Sequence, residues 1–202
     1  MAARPQHWLT PEEYLEIERA AEFRHEYYNG QMYLIPGGSL QHAVIIANLT
    51  AALHQALRSR PCLVANADLR TRTAAEGLYT YPDVSVVCGR PKFADRRTDT
   101  LVNPSLIVEV LSPSTERKDR GVKFAQYRTV ESLQEYALVS QEEHRVEVFR
   151  RQEGGHWLLT EFVGLEAHAR FESVDTSIPL AEIYLKVEFN KSEDPPLHPA
   201  DQ

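Results

Sequence analysis

Tyr81-Pro82-Asp83-Val84-Ser85-Val86-Val87 and Leu106-Ile107-Val108-Glu109-Val110-Leu111-Ser112-Pro113-Ser114-Thr115 are two β-branched, apolar runs, each with one acid in or beside it. Such runs favour strands, and a run without polar alternation is expected of a central strand covered on both faces. A carboxylate there is costly to bury unless it is paired or bound to a cation. Hard divalent cations take oxygen ligands, commonly one or two carboxylates, with water and substrate phosphate completing the shell. Asp83 and Glu109 meet that minimum if their strands are neighbours.

Outward from these runs, Ser112-Pro113 stops the second strand, and a helix is predicted over about residues 118–129. It places Asp119, Lys123 and Tyr127 at i, i+4 and i+8, one stripe with polar tips; pattern alone favours an exposed Asp-Lys pair. Residues 79–88 are expected to form one strand with Tyr79, Tyr81, Asp83 and Ser85 sharing a face. Residues 62–72 alternate, with Asn66, Asp68, Arg70 and Arg72 opposite Ala65, Ala67 and Leu69, so Asp68 is either an ion-pair partner of Arg70 or a site residue. Residues 74–77 turn the chain between these strands, and residues 89–103 form a charged loop that could lie against a ligand.

The order Pro82-Asp83 then Glu109 resembles the PD-(D/E)XK nuclease superfamily, in which Pro-Asp on one strand and Glu-X-Lys on the next hold a metal that activates water against a phosphodiester. Leu111 stands here where that pattern has lysine. The longer phrase adds Asn103-Pro104, Ser112-Pro113-Ser114-Thr115, Asp119-Arg120-Gly121-Val122-Lys123 and Tyr127-Arg128, and is similar to the Uma family of restriction-endonuclease-like proteins. The likeness runs from about Leu9 to about Val187. It implies Asp83 and Glu109 as ligands of magnesium or manganese. Lys123, on the helix that follows, would be the ammonium relocated from position 111. It also implies a nucleic-acid substrate, DNA first, and accessory places for Glu26, His42, Asp68, Asp119 and Tyr127.

Thr10-Pro11-Glu12-Glu13 predicts a capped helix to about residue 21. Residues 26–35 carry Asn29-Gly30 between apolar runs, a hairpin with a type I′ turn. Glu26 lies in its first strand, as a surface carboxylate or a site acid. Ser39 caps a helix over about residues 40–58 with Val44, Ile45, Leu49, Ala52, Leu53, Ala56 and Leu57 at helical spacing. His42 opens its buried stripe, where a satisfied core histidine is the plain alternative to a ligand. After the 118–129 helix, residues 133–140, 145–150 and 157–162 are expected to form an antiparallel meander, and residues 190–202 a disordered tail.

A chain of 202 residues with a net charge of −7 is expected to form one domain, over residues 1–189. Negative net charge argues against indiscriminate nucleic-acid binding. The charge is uneven: residues 58–128 carry 13 Lys+Arg against 8 Asp+Glu, a balance of +5 that leaves −12 for the rest. Arg70, Arg72, Lys118 and Arg120 are the phosphate-contacting candidates of this segment, although a solvated charged surface explains it as well. Cys62 and Cys88 have no metal-ligand spacing and read as buried free thiols. No run is long and apolar enough for a membrane or a signal peptide, so the expectation is a cytoplasmic protein with no membrane partner, and a homodimer is compatible.

The fold expectation is an α/β domain with a restriction-endonuclease-like core: a mixed central sheet flanked by helices, with an N-terminal hairpin and a C-terminal antiparallel meander. Three functions remain open: a metal-dependent phosphodiester hydrolase, a nuclease-like fold serving only as a nucleic-acid or protein binding module, or a structural ion cluster of Asp83, Glu109 and Lys123.

Overall fold

The computed structural model describes residues 8–73 and 77–189. Residues 74–76 of the turn expected at 74–77, and the tail expected at 190–202, lie outside the described residues. Thr10 caps α1 (Pro11–Ala20) through a capping box: its hydroxyl accepts the Glu13 N–H while the Glu13 carboxylate accepts the Thr10 N–H. β1 (His25–Tyr28) and β2 (Gln31–Leu34) pair across Asn29-Gly30, whose φ values of 46° and 76° are those the hairpin turn demands. Ser39 accepts the His42 N–H and opens α2 (Leu40–Leu57), which buries Ile45, Leu49, Leu53 and Leu57 along one stripe.

Both strands expected between residues 62 and 88 divide between two sheets. The first becomes β3 (Cys62–Asn66) and β4 (Arg70–Arg72), the second β5 (Tyr79–Thr80) and β6 (Val84–Cys88). The first break is a turn held by the Asn66 side chain, which accepts the Asp68 N–H at 3.1 Å. At the second, Pro82 has no N–H to give a ladder. Tyr81-Pro82-Asp83 is therefore a link between sheets, not part of one strand face, and Asp83 stands at their junction.

Next come β7 (Thr100–Leu101), β8 (Leu106–Val110), β9 (Glu135–Val139), β10 (Arg145–Arg151) and β11 (Trp157–Val163). The larger sheet runs β11-β10-β9-β8-β6-β3, mixed because β8 and β9 alone are parallel. The smaller runs β2-β1-β5-β4-β7. The expected meander extends the larger sheet, and β12 (His168–Phe171), β13 (Thr176–Pro179) and α5 (Leu180–Ile183) close over the α2 side. Leu106, Val108 and Val110 enter the α2 core. Ile107 and Leu111 enter a second cluster with Tyr127, Tyr136 and Leu138. Glu109 shares their face of β8, by the two-residue period of a strand.

The helix expected over 118–129 is interrupted. α3 (Glu116–Lys118) and α4 (Phe124–Tyr127) flank a π-helical turn over Asp119–Lys123. The Phe124 N–H reaches back five residues to the Asp119 carbonyl, which also accepts the Tyr136 hydroxyl at 3.1 Å. Single π turns of this kind concentrate at functional sites.

The free-thiol reading of the cysteines is corrected: Cys62 and Cys88 form a disulfide. The two stand directly opposite in the antiparallel β3–β6 register, with Cα atoms 4.0 Å apart. Linear spacing carries no information about that register. Among the described residues, no helix is long and apolar enough to cross a membrane.

Candidate active site

Asp83, at the sheet junction, and Glu109, in the adjacent strand β8, line one cavity of about 450 Å³. Val110 donates its N–H to Asp83 Oδ2 at 2.7 Å, and His42 Nε2 stands 3.4 Å from the same oxygen. The Asp83 N–H points back at Glu109 Oε2, a long 3.4 Å contact. Glu109 is 3 % exposed, and its other oxygen, Oε1, accepts the Tyr127 hydroxyl at 2.8 Å and the Lys123 ammonium at 3.1 Å.

Lys123 is itself 7 % exposed and reaches two further carboxylates: Asp119 Oδ1 at 3.0 Å and Glu26 Oε1 at 3.2 Å. The Asp119 contact is an ion pair without a well-directed hydrogen bond, since Oδ1 has no hydrogen-bond partner by geometry. Glu26 also accepts Lys118 and the Thr80 hydroxyl. The register of β1 and the π turn thus bring Glu26, Asp119, Lys123 and Tyr127 to Glu109 from elements far apart in sequence.

Electrostatically the site holds more acid than base: Glu26, Asp83, Glu109 and Asp119 against Lys118, Lys123 and His42. Burial pushes the Glu109 carboxyl up to about 8 despite the Lys123 ammonium, and Asp119 and Asp83 add negative charge in the same direction. Burial alone would lower Lys123, but Glu109, Glu26 and Asp119 more than offset it and hold the ammonium well above its ordinary value. Burial works against the Glu26 carboxylate as well, yet Lys123, Lys118 and Thr80 bring its pKa below the ordinary value. For His42 the burial penalty is outweighed by Asp83 and the Val110 carbonyl, so the imidazole titrates higher than usual.

These residues fit a hard divalent cation. Among the described residues Asp83 Oδ1 accepts no hydrogen bond, and Glu109 Oε2 has only the long contact from the Asp83 N–H. Two carboxylates, Asp83 with a free oxygen and Glu109 with one held only by that long contact, in a site with excess negative charge, suit a cation whose other ligands are water and phosphate. Among the described residues no group of three or more His, Cys, Asp or Glu forms an all-protein cage.

The structure sorts the remaining sequence candidates. Lys118 lines the cavity. Asp68 pairs with Arg24 on the surface and not with Arg70. Arg70 is buried, its guanidinium engaged by Thr100, Tyr81 and Asp99. Arg120 is held by Glu116 and Glu147 beside a smaller neighbouring pocket. Arg72 is half-buried on β4. None of these four lines the larger cavity. Leu111 packs into the Tyr127 cluster, so position 111 is core.

Sequence reasoning missed the hydrogen-bond network around Tyr81, two residues before Asp83. Tyr81 lines the cavity and donates to Glu18 at 2.7 Å; Glu18 in turn accepts the His25 N–H, and Arg70 donates to the Tyr81 oxygen. The only signal was Tyr81 itself in the Tyr-Pro-Asp phrase, since Glu18 lies on a helix 63 residues away from it. The hydroxyl rim of Ser112, Ser114 and Thr115 was visible only as a strand stop.

Against known proteins, the chain is 39 % identical over 184 residues to "Uncharacterized protein slr1290" of Synechocystis sp., covering 90 % of this chain and 94 % of that one. It is 39 % identical over 163 residues to "Uncharacterized protein sll1609" of the same organism, covering 81 % and 92 %. The fold is that of a crystal structure described as "a putative nuclease belonging to DUF820" from Anabaena variabilis. The TM-score is 0.68 at 18 % identity, with 86 % of this chain and 96 % of that one covered. The family model described as "Uma2: Putative restriction endonuclease" matches residues 11–186, and the chain belongs to that family.

Proposed function

We propose that this protein is a metal-dependent endonuclease that hydrolyses DNA phosphodiester bonds at the Asp83/Glu109 site. One observation carries the reading: Asp83, at the sheet junction just before β6, and Glu109, on the adjacent strand β8, share a cavity, and an ammonium touches Glu109. Asp83 and Glu109 would hold magnesium or manganese, which supplies the Lewis acidity and charge neutralisation that phosphodiester hydrolysis needs.

The chain's own groups prepare that site. Tyr127 and Lys123 hold Glu109 by Oε1, and Val110 and His42 hold Asp83 by Oδ2, so both carboxylates keep a fixed orientation. Lys123 replaces the lysine absent at Leu111 and stands ready to meet negative charge growing on the phosphate. Its ammonium is ion-paired with Glu26, Glu109 and Asp119 and hydrogen-bonded to Glu109 alone, so contact with substrate exchanges one of these ion pairs for a phosphate oxygen.

A second reading, a binding module without catalysis, draws on Leu111 as a core residue. The test is a cleavage assay on single- and double-stranded DNA and RNA with magnesium or manganese, run beside Asp83→Ala. Metal-dependent products from the parent and none from the variant are expected. A folded parent that binds nucleic acid and cleaves none of it favours the binding module.

A further inference from the structure

The mouth of the cavity has two unlike sides. Along one, the hairpin end and the segment after it present Leu34, Ile35 and Pro36, with Leu34 61 % exposed, and Tyr33 stands just outside this lining, beside Lys118. The other is polar, with the hydroxyls of Ser112, Ser114 and Thr115.

Tyr33 is the cross-strand partner of Glu26, so their side chains stand on the same face of the hairpin. Glu26 lines the cavity and holds Lys118, whose Nζ lies 5.1 Å from the Tyr33 ring centroid. The ring is 41 % exposed, and its hydroxyl is taken by Gln31 Oε1 at 2.7 Å. Among the described residues β2 is the outermost strand of its sheet, so no further described strand covers the ring from that side. Tyr33 therefore offers an aromatic face, with a cation behind it, about one side chain away from the acids.

A duplex turns sugar and phosphate outward and keeps its base faces stacked inside, so an aromatic lip beside its backbone would find nothing to stack on. A single strand offers both chemistries together, flat base faces for aromatic side chains and a backbone for polar ones. We infer that the cavity takes one nucleic-acid strand, with a base stacked on the Tyr33 ring and the backbone lying along the Ser112, Ser114 and Thr115 rim. The position of the backbone rests on the phosphodiesterase reading; the base subsite at Tyr33 is a separate claim about binding.

Equilibrium binding separates the two. Fluorescein-labelled oligothymidylate, the same oligonucleotide made abasic, its RNA counterpart and a duplex of equal length are titrated by anisotropy in calcium buffer against the parent, Tyr33→Ala and Tyr33→Phe. The expected result is that the parent prefers the thymidine strand to the abasic one and to the duplex. Tyr33→Ala weakens the thymidine strand by about 10-fold or more and erases the preference over the abasic strand. Tyr33→Phe, which keeps the ring, restores that preference. A duplex bound more tightly than the strand, or a Tyr33→Ala protein that still distinguishes thymidine from abasic, overturns the inference. If all binding arms behave as expected while no oligonucleotide is ever cleaved, the base subsite stands and the hydrolase reading falls. If nothing binds at all, both fall.

Discussion

Lys123 sets one ammonium against three carboxylates, Glu26, Glu109 and Asp119, and that match decides what its removal does. Breaking a buried ion pair by deleting one partner costs on the order of 3–5 kcal/mol. Glu109, already pushed up to about 8 with Lys123 present, rises further without it. A folded-state value above the unfolded one means that the folded protein binds more protons in between, so stability falls as pH rises. Because Glu109 is protonated in both folded proteins below about 8, the Lys123→Ala deficit should widen above that value, larger at about pH 9.5 than at about pH 7; a deficit constant over that range contradicts the network. At equal folded fraction, its metal-dependent cleavage should drop by about 100-fold with KM little changed, and Lys123→Arg should not rescue it fully, because a planar guanidinium cannot occupy a point-charge position. Unchanged cleavage would remove Lys123 from the chemistry. At this scale the convergence of Asp83 and Glu109 on one cavity was legible because an acid in an apolar run needs a partner, whereas Lys123 was legible only through the family resemblance, since helical spacing alone favoured an exposed pair with Asp119. Asp68 and Arg70 were misread because strand alternation reports a face and not a partner: Asp68 found Arg24, and Arg70 found Asp99.

Among the elements, the hairpin, α1 and α2 were readable from Asn29-Gly30, the Thr10 box and the Ser39 cap, since each is a local rule with a local cause. The division of two strands between sheets was not, because it depends on which edge each half finds after folding. Pro82 is the exception, an interruption visible in the sequence and passed over there. The π turn inside the expected 118–129 helix was likewise hidden, since its widened hydrogen bond answers to Tyr136 on β9, a tertiary contact. The disulfide needed the β3–β6 register. α2 bears directly on the site, because its fully buried Leu49 packs in the cluster that holds Val108 and Val110, the neighbours of Glu109. Leu49→Ala should lower unfolding free energy by about 2–5 kcal/mol in urea titrations; a loss under about 1 kcal/mol would show that α2 does not clamp the sheet.

Across the whole molecule, part of the basic balance of residues 58–128 is taken up in ion pairs. Arg70 meets Asp99, Arg120 meets Glu116 and Glu147, and Lys118 meets Glu26. That segment charge was correct as arithmetic, but it did not report which cations are free. One such network ties α1 to the smaller sheet: Arg19 holds Asp99 and Asp95, and Asp99 also meets Arg70 on β4. The Arg19 hydrogen bond, against some desolvation, holds Asp99 down at about 2. A depressed carboxyl contributes stability above its unfolded value of 3.8 that is lost as pH falls through about 2. Asp99→Asn should accordingly melt below the parent at pH 6, with the gap closing toward pH 2; a gap that stays constant would mean that Asp99 acts through packing alone.

The charge surplus that remains in the cavity is acidic, and a divalent cation at Asp83 and Glu109 would answer it. Manganese titration followed by electron paramagnetic resonance of the free ion tests this most directly, in the parent, Asp83→Asn and Glu109→Gln. Because Glu109 must lose its proton to bind a cation, and titrates at about 8, affinity should rise as pH is raised from about 6.5 to 8.5. Saturable binding that tightens over this range and disappears in both variants is the expected result; binding that is absent from the parent at millimolar manganese, or that survives both substitutions, would contradict it.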